Sequence, residues 1–421
     1  MKKTILIIIS LIFFVPQVYA ITLTEALTQA YKNNPELNAE RESIKVSEED
    51  LNISKGEYLP TLTLTGSKSQ EDTNKLTNQT GGDATITDVD PQSTSITIEQ
   101  TLIDFGRGAE HEKNKIGINL AKAKLLKKEQ DILYKAIEAY TGLILANEKF
   151  EINKANVNLL ERQVETDTIR LERGQVTISD VAQSESSLAE AQAKLIQAQN
   201  DVLTSKLNYE NIIGPLSNSN LLEKNSTINF VMPQNLNSAI ELSKKNNPDL
   251  NIALLEYEQS EKDTTIAKSD LSPTAKLSFE RSYSNDLSST YDEREKDILK
   301  ATVSWPFYSG GKNRAKYKKN INLQTRKRLL LDNTTKSNET IVASAWSNFQ
   351  SSKSLLNSVE LQVKAAEIAN EGITAEYESG VGRTTLEVIQ SNSFLLNAQI
   401  SLANSERNYL LSQFNLLKSI G

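Results

Sequence analysis

The stretch LKATVSWPF (Leu299–Phe307) carries an apolar residue at every second position. Side chains of a β-strand point alternately to its two sides, so this alternation predicts a strand with one apolar face. The residues that share this face are Leu299, Ala301, Val303, Trp305 and Phe307.

Three further stretches alternate in the same way and predict three more strands. They are PTLTLTG (Pro60–Gly66), SITIEQTL (Ser95–Leu102) and AKLSFERSY (Ala275–Tyr283), the last interrupted by Arg281. Each predicted strand has about nine to eleven residues, the length of a tilted strand that crosses a membrane.

Four strands of this kind cannot close on themselves, and an open edge in lipid costs several kcal/mol for each unpaired backbone group. Three chains would supply twelve strands, which lies within the range of outer-membrane barrels. We therefore predict a transmembrane β-barrel shared by a trimer, with Tyr283, Trp305 and Phe307 at the membrane interface or facing lipid. The alternative is a small soluble sheet that caps a helical stalk.

A tandem duplication organises the rest of the chain. KNNPELN (Lys32–Asn38) returns as KNNPDLN (Lys245–Asn251), and the two halves stay aligned without a gap for about forty residues. A unit of this length is too long for a solenoid repeat and must contain several elements. We predict a first structural repeat at 21–214, an equatorial connector at 215–238 and a second repeat at 239–421.

Each repeat is predicted to contain four parts in one order. The parts are a helix from Pro35 or Pro248, a β-hairpin at 58–105 or 272–310, a long helix at 107–173 or 312–379, and a helix at 177–213 or 384–420. Within the second hairpin, residues 285–296 are expected to form a charged loop. The fold class predicted is an α+β membrane protein with coiled-coil-like helices and a β-barrel.

The long helices are predicted from segments with no proline and almost no glycine. At 1.5 Å per residue each would extend about 100 Å. In the second one, apolar or small residues recur at spacings of three and four, which is typical of coiled-coil packing. The residues of this seam are Val342, Ala345, Phe349, Ser352, Leu356, Val359, Val363, Ala366, Asn370 and Ile373.

The first twenty residues and the composition restrict the function. Lys2 and Lys3 precede an apolar stretch and a small-residue site after Ala20, which predicts a secretory signal peptide at 1–20. The chain has no cysteine, which excludes disulfides, thiolate metal sites and cysteine nucleophiles. Its one histidine, His111, is expected on a solvated helix face. We expect no catalytic, cofactor-binding or metal site.

The ordered set of motifs resembles the TolC family of outer-membrane efflux and secretion ducts. The resemblance rests on NNPEL and NNPDL, YLPTLTLTG, DFGRG and FYSGGK, GQVTISDVAQSE and GVGRTTLEVIQ, and it covers nearly all of the chain after residue 20. It implies a homotrimer in the outer membrane of a Gram-negative bacterium, with a long α-helical barrel through the periplasm. It also implies a periplasmic adaptor protein and an inner-membrane ABC or proton-driven pump as partners, contact with outer-membrane lipid, and no nucleic acid.

The same resemblance assigns a gate to the turns that join the long and closing helices. It places Ser179 and Asp180 on one coil and Tyr377 and Arg383 on its neighbour, in a network that holds the entrance shut. Glu387 corresponds to a constriction ring, whose second acidic position is Gln390 here. Gly174, Gly380 and Gly382 are interpreted as turn residues with positive φ. A structural alternative is that Asp180 and Glu387 only stabilise helix N-termini.

The function predicted is a passive exit duct of a tripartite export machine, because no GxxxxGK[ST] nucleotide site occurs in the sequence. The motif VTxxDVAQxE favours type I protein secretion, with multidrug efflux as the second reading. The alternative function is a trimeric coiled-coil structural or surface stalk without a pore. An enzyme is not predicted.

Overall fold

The computed structural model describes most of the chain. The residues outside the description are 1–20, 73, 75–76, 78–79, 83–87, 217–221, 225–230, 289–290 and 381. The predicted signal peptide therefore lies outside the described residues, as does part of the predicted connector.

Eight helices and four strands occur in the described part of the chain. The helices are α1 (Leu23–Asn33), α2 (Pro35–Gly56), α3 (Arg107–Glu172), α4 (Ile178–Ile212), α5 (Leu236–Asn246), α6 (Pro248–Ser269), α7 (Lys312–Glu378) and α8 (Thr385–Ile420). The strands are β1 (Thr61–Lys68), β2 (Gln92–Ile103), β3 (Thr274–Ser288) and β4 (Tyr291–Ser304). The long helices α3 and α7 contain 66 and 67 residues.

The chain divides into two compact units that cut across the sequence repeats. One unit contains Met1–Asn38, Lys128–Ser243 and Ile341–Gly421, and the other contains Ala39–Lys127 and Lys244–Thr340. Each unit thus combines segments of both repeats, because α2, α3, α5 and α7 each belong in part to one unit and in part to the other.

The repeated heptapeptide marks a helix start in both halves. Asn34 Oδ1 accepts hydrogen bonds from the amides of Glu36 (3.0 Å) and Leu37 (3.2 Å). Asn247 caps α6 in the same way. Proline at the first helical position lacks only an N–H that would have no intrahelical partner. The heptapeptide therefore has a structural role in both halves.

The short helices α1 and α5 precede the two Asn-Pro starts and were not predicted from the sequence. Thr22 and Glu25 form a reciprocal capping box at the start of α1. The face carrying Leu23, Ala26 and Ala30 is buried. α5 begins at Leu236, within the range predicted as connector.

The four strands form one antiparallel sheet in the order β1-β2-β3-β4. Its register places Leu62 opposite Ile98, Ile98 opposite Phe279, and Phe279 opposite Leu299. The predicted apolar residues therefore share one face across all four strands. This face is exposed in the single chain, with Leu64 at 72% and Val303 at 74%.

The charged loop predicted at 285–296 is wrong, because β3 and β4 continue through most of this range. Ion pairs between β3 and β4 explain why the two strands extend into this charged segment. The Arg281 guanidinium lies 3.8 Å from carboxylate oxygens of both Glu295 and Asp297 on β4. Opposite charges on neighbouring strands stabilise the pairing of two strands that carry few apolar residues.

Helix packing follows the predicted seam of α7. Val342, Ala345, Phe349 and Val363 are buried, and the remaining seam residues are buried or half-buried. Polar contacts continue this packing, because Asn370 Nδ2 donates to Asn392 Oδ1 at 2.6 Å.

Two further observations concern the described residues. None of their helices combines the length and the apolar composition needed to cross a bilayer. His111 is half-buried rather than solvated, because its Nδ1 lies 3.2 Å from Ser54 Oγ and its ring meets the edge of Tyr58.

Candidate functional site: the helix turns and their buried clasp

Two similar turns join the long helices to the closing helices. In the first, Thr177 and Asp180 form a reciprocal capping box at the start of α4. In the second, Thr384 and Glu387 form the same arrangement at the start of α8. Each carboxylate thus accepts a backbone N–H at the positive end of a helix.

Glycines provide the left-handed backbone that these turns require. Gly174 has φ 71°, and Gly380 and Gly382 have φ 77° and 65°. A residue with a Cβ would be strained in this conformation. All three predicted turn glycines therefore occupy positions that favour glycine.

A buried carboxylate joins the helices next to these turns. Asp167 of α3 is fully buried, and Gln163 Nε2 donates to both of its oxygens at 3.0 Å. Ser184 of α4 donates to Oδ2 at 2.5 Å, and Tyr377 of α7 donates to Oδ1 at 2.5 Å. Tyr377 Oη also lies 3.0 Å from Thr385 Oγ1 at the start of α8. We call Gln163, Asp167, Ser184, Tyr377 and Thr385 the clasp.

Arg170 covers the outer side of the clasp. Its guanidinium carbon lies 4.1 Å from the centre of the Tyr377 ring, and one nitrogen donates to the Tyr377 carbonyl oxygen at 3.1 Å. Burial raises the pKa of Tyr377, and its hydrogen bond to Asp167 adds to this effect. The phenol therefore remains a hydrogen-bond donor at neutral pH.

Arg383 forms an ion-pair triad on the surface of the second turn. Its Nε donates to Glu376 at 2.6 Å, and a terminal nitrogen donates to Glu387 at 3.1 Å. The Thr384 amide, followed by Arg383, lowers the pKa of Glu387. The Thr177 amide and hydroxyl lower the pKa of Asp180. Both acids are therefore ionised at neutral pH.

The sequence matches the outer membrane efflux protein family over residues 26–215 and 239–421. The chain belongs to this family. It is a family of channel and transport proteins.

Two relatives and one solved structure show how far this similarity extends. The outer membrane efflux protein BepC of Brucella suis biovar 1 is 25% identical over 405 residues, 95% of this chain and 85% of BepC. The alkaline protease secretion protein AprF of Pseudomonas aeruginosa is 22% identical over 405 residues, 93% of this chain and 82% of AprF. The Campylobacter jejuni CmeC outer membrane channel has the same fold, with a TM-score of 0.80 and 14% identity over 95% of this chain and 85% of CmeC.

These findings confirm the resemblance, the fold class, the exit-duct function and the outer-membrane localisation predicted from the sequence. The efflux-family chain is an outer-membrane exit duct with a periplasmic helical part. TolC-family channels are trimeric and work with adaptors and inner-membrane pumps.

Within this efflux-family chain, the predicted gate residues are not brought together directly. In the described residues no hydrogen bond joins Ser179 or Asp180 to Tyr377 or Arg383. Ser179 is exposed, and the Asp180 carboxylate bonds to Thr177 of its own turn. The connection from α4 to α7 runs instead through Ser184 and Asp167.

The predicted constriction residues lie on the first turns of α8. Glu387 is half-buried beside Arg383, whereas Gln390 is exposed. Within one chain, Glu387 stabilises the N-terminus of α8 through the capping box with Thr384. This is the role that the structural alternative predicts for it.

Sequence reasoning missed Asp167, Gln163, Ser184 and Thr385. One signal was available, because an aspartate within a long helix is unfavourable unless its side chain has partners. Gln163 lies one turn earlier on α3, but Ser184 and Tyr377 lie on α4 and α7, and no sequence spacing relates these two residues to Asp167.

The three aromatic residues predicted at the membrane interface lie on the sheet or directly after its last strand. Tyr283 lies on β3 opposite Glu295, and Trp305 and Phe307 follow the end of β4. Trp305 Nε1 donates to the Leu271 carbonyl oxygen at 3.1 Å. Its ring meets the edge of Phe307, with 5.5 Å between centroids. All three aromatic side chains are exposed in the single chain.

Proposed function

We propose that three copies of this chain close one twelve-stranded barrel in the outer membrane and continue it as a helical duct through the periplasm. The sheet carries this proposal: its apolar face is exposed, and β1 and β4 each have a single strand partner in the described residues. Pairing β4 of one copy with β1 of the next would satisfy both edges and turn the apolar face toward lipid. Tyr283, Trp305 and Phe307 would then lie against lipid or at its interface.

We assign to this duct the export of proteins by type I secretion, of small molecules, or of both. Relatives named for efflux and for protease secretion support this range. A passive wall has no energy source of its own, so we propose a periplasmic adaptor and an inner-membrane pump, either ABC or proton-driven, as partners. A stalk without a pore would explain the heptad seam of α7, but it would leave the apolar sheet face without a function.

We propose that the clasp keeps the entrance closed. It ties the ends of α3 and α4 to those of α7 and α8 through a carboxylate that water does not reach. The α7–α8 turn cannot move away from the α3–α4 turn without breaking these bonds. An unpaired buried carboxylate is costly, so the closed arrangement is favoured until a partner supplies the opening free energy.

Ser179, Asp180, Arg383, Glu387 and Gln390 would face the entrance in the trimer. Three Glu387 carboxylates about 7 Å apart would repel by roughly 2–3 kcal/mol per pair at an effective dielectric of 20. The ion pair from Arg383 within each chain reduces this repulsion. The ring would favour cations, and Gln390 makes it less negative than a ring with two acids per chain.

Reconstitution into a planar lipid bilayer tests the proposal. Purified protein should insert as a trimer and give discrete conductance steps, low in the closed state. Folded protein that forms no conducting unit under any gating condition would contradict the duct.

A further inference from the structure

Because the chain contains two repeats, a contact between the repeats within one chain can serve as a template for a contact between neighbouring copies. The strands β2 and β3 join the two repeats in the sheet, and α3 leaves β2 while α6 leads into β3. If β4 of one copy pairs with β1 of the next, α7 and α2 occupy the corresponding places at that junction. This reasoning rests on the proposed trimer and adds the residues that would hold its copies together.

The template contact between α3 and α6 has an ion pair and an apolar cluster. Lys113 Nζ lies 2.9 Å from an oxygen of Asp263. The apolar part contains Leu120, Ala123 and Leu255, with Ile116 and Ile252 packed against it. Within this contact Gln259 Nε2 lies 3.4 Å from the carbonyl oxygen of Lys113.

Two sequence offsets transfer this contact to the second junction. The heptapeptides relate α6 to α2 by 213 positions, and the starts of α3 and α7, Arg107 and Lys312, are 205 positions apart. The transferred residues are Lys318 for Lys113, Asp50 for Asp263, Ile321 for Ile116, Val46 for Gln259, Thr325 for Leu120, Arg328 for Ala123, Ala39 for Ile252, and Glu42 for Leu255.

The transferred residues are complementary. Lys318 and Asp50 reproduce the charges of the template pair at the same positions. Ile321 corresponds to Ile116. Val46 corresponds to Gln259 and would lie opposite Ile321 at the same height along the paired helices. Ala123 and Leu255 belong to the apolar cluster of the template, and the positions that correspond to them hold Arg328 and Glu42, which are again of opposite charge.

The single chain leaves these side chains uncovered. Lys318, Arg328 and Asp50 are exposed, and their charged groups have no ion-pair partner in the part of the chain that the structure describes. Val46 is 62% exposed and Ile321 38%. Glu42 contacts Lys45 of its own helix and remains largely open to solvent. An exposed apolar pair between complementary charges is typical of a surface that a partner covers.

We propose that α7 of one copy packs antiparallel against α2 of the next, with Lys318 paired to Asp50, Ile321 against Val46, and Arg328 paired to Glu42. The partner is a second copy of this chain, because the same internal duplication generates both sides of the contact. Repeated around the trimer, the contact seals the wall directly below the sheet.

Cysteine cross-linking of the full-length trimer tests the register without background, since the chain has no cysteine. The matched pairs are Lys318→Cys with Asp50→Cys and Arg328→Cys with Glu42→Cys. The swapped pairs, Lys318→Cys with Glu42→Cys and Arg328→Cys with Asp50→Cys, are displaced by about 12–15 Å along the helices. Helices packed side by side lie about 8–10 Å apart, which a short bifunctional thiol reagent spans although a direct disulfide does not, whereas the swapped pairs lie beyond its reach.

The short bifunctional thiol reagent should convert the matched variants to covalent dimers and trimers on a denaturing gel. The swapped variants should remain at the single-cysteine background. As a folding control, Lys113→Cys with Asp263→Cys should be cross-linked by the same reagent within one chain and give no covalent dimer or trimer. A trimer that conducts normally but cross-links in the swapped pairs, or in none, would overturn this contact and leave the proposed function intact. A folded protein that is monomeric would overturn both.

The charges are tested separately by reversal. Asp50→Lys and Lys318→Asp should each lower the temperature at which the trimer dissociates, and the double variant should recover most of the loss. Equal effects of the single and double variants would contradict the pairing. Exchanging the two charges restores the stability of the trimer only if the two residues contact each other.

Discussion

Replacing Tyr377 by phenylalanine removes one hydroxyl from the clasp and keeps the ring that packs under Arg170. The lost hydroxyl donates to Asp167 Oδ1 at 2.5 Å and lies 3.0 Å from Thr385. Gln163 and Ser184 still bond the carboxylate in the variant, so the fold of α3 and α4 should persist. The hydroxyl link from Asp167 to α7 and Thr385 is lost, whereas the contacts of Arg170 with the ring and backbone of Tyr377 remain.

The magnitude follows from the type of bond. A hydrogen bond to a charged group contributes roughly 1.5–3 kcal/mol, and a buried acceptor left unpaired costs a similar amount. Since about 1.4 kcal/mol corresponds to a factor of ten, the closed-to-open ratio of each subunit should fall on the order of ten- to a hundredfold. The variant should therefore spend far more time in conducting states.

Single-channel recording in planar bilayers measures this directly. Tyr209→Phe is the matched control, because Tyr209 is equally buried but its hydroxyl has no hydrogen-bond partner within the described residues. The control should conduct like the unmodified protein. Open times of Tyr377→Phe that match those of Tyr209→Phe, with both proteins folded and trimeric, would refute the clasp as a gate.

Three further outcomes concern the second turn. Arg383→Ser removes both ion pairs of the triad and should increase open time in the same recordings; an unchanged open time would restrict Arg383 to a local role. The pKa of Glu387 is lowered in the fold, so its capping contribution is present above its unfolded pKa of about 4 and is lost as pH falls through the lower folded value. Hydrogen exchange in the first turn of α8 should therefore lose protection in acid, relative to intrinsic rates, whereas Glu387→Gln should show little pH dependence; the same loss in both would exclude Glu387 as the cause. Gln390→Glu should raise the cation-to-anion permeability ratio in a salt gradient, and an unchanged ratio would place residue 390 away from the pore.

The sequence was most informative where one periodicity extends over many residues. The bounds of α3, α4, α7 and α8 fall within one residue of the predicted ranges, because glycine and threonine mark their ends. The shared apolar face of the sheet was predicted from alternation and is confirmed by the register.

Local sequence patterns gave wrong or missing predictions for residues whose interaction partners are distant in the sequence. The charge of the segment 285–296 predicts a loop, but cross-strand pairing with Arg281 stabilises most of the segment as strand. Asp167 was not recognised because its partners lie on α4 and α7, as far as 210 positions away. The resemblance singled out Asp180, whereas in this chain the buried contact to Tyr377 belongs to Asp167.

In the proposed barrel, the sheet of one chain is completed by the sheets of two other chains. Native mass spectrometry of the folded protein extracted in detergent measures this most directly, because it counts the chains in each particle. A barrel shared by three copies predicts three chains per particle and no stable population of folded single chains. A folded particle of one chain, with the edges of β1 and β4 protected from hydrogen exchange by its own residues, would contradict it.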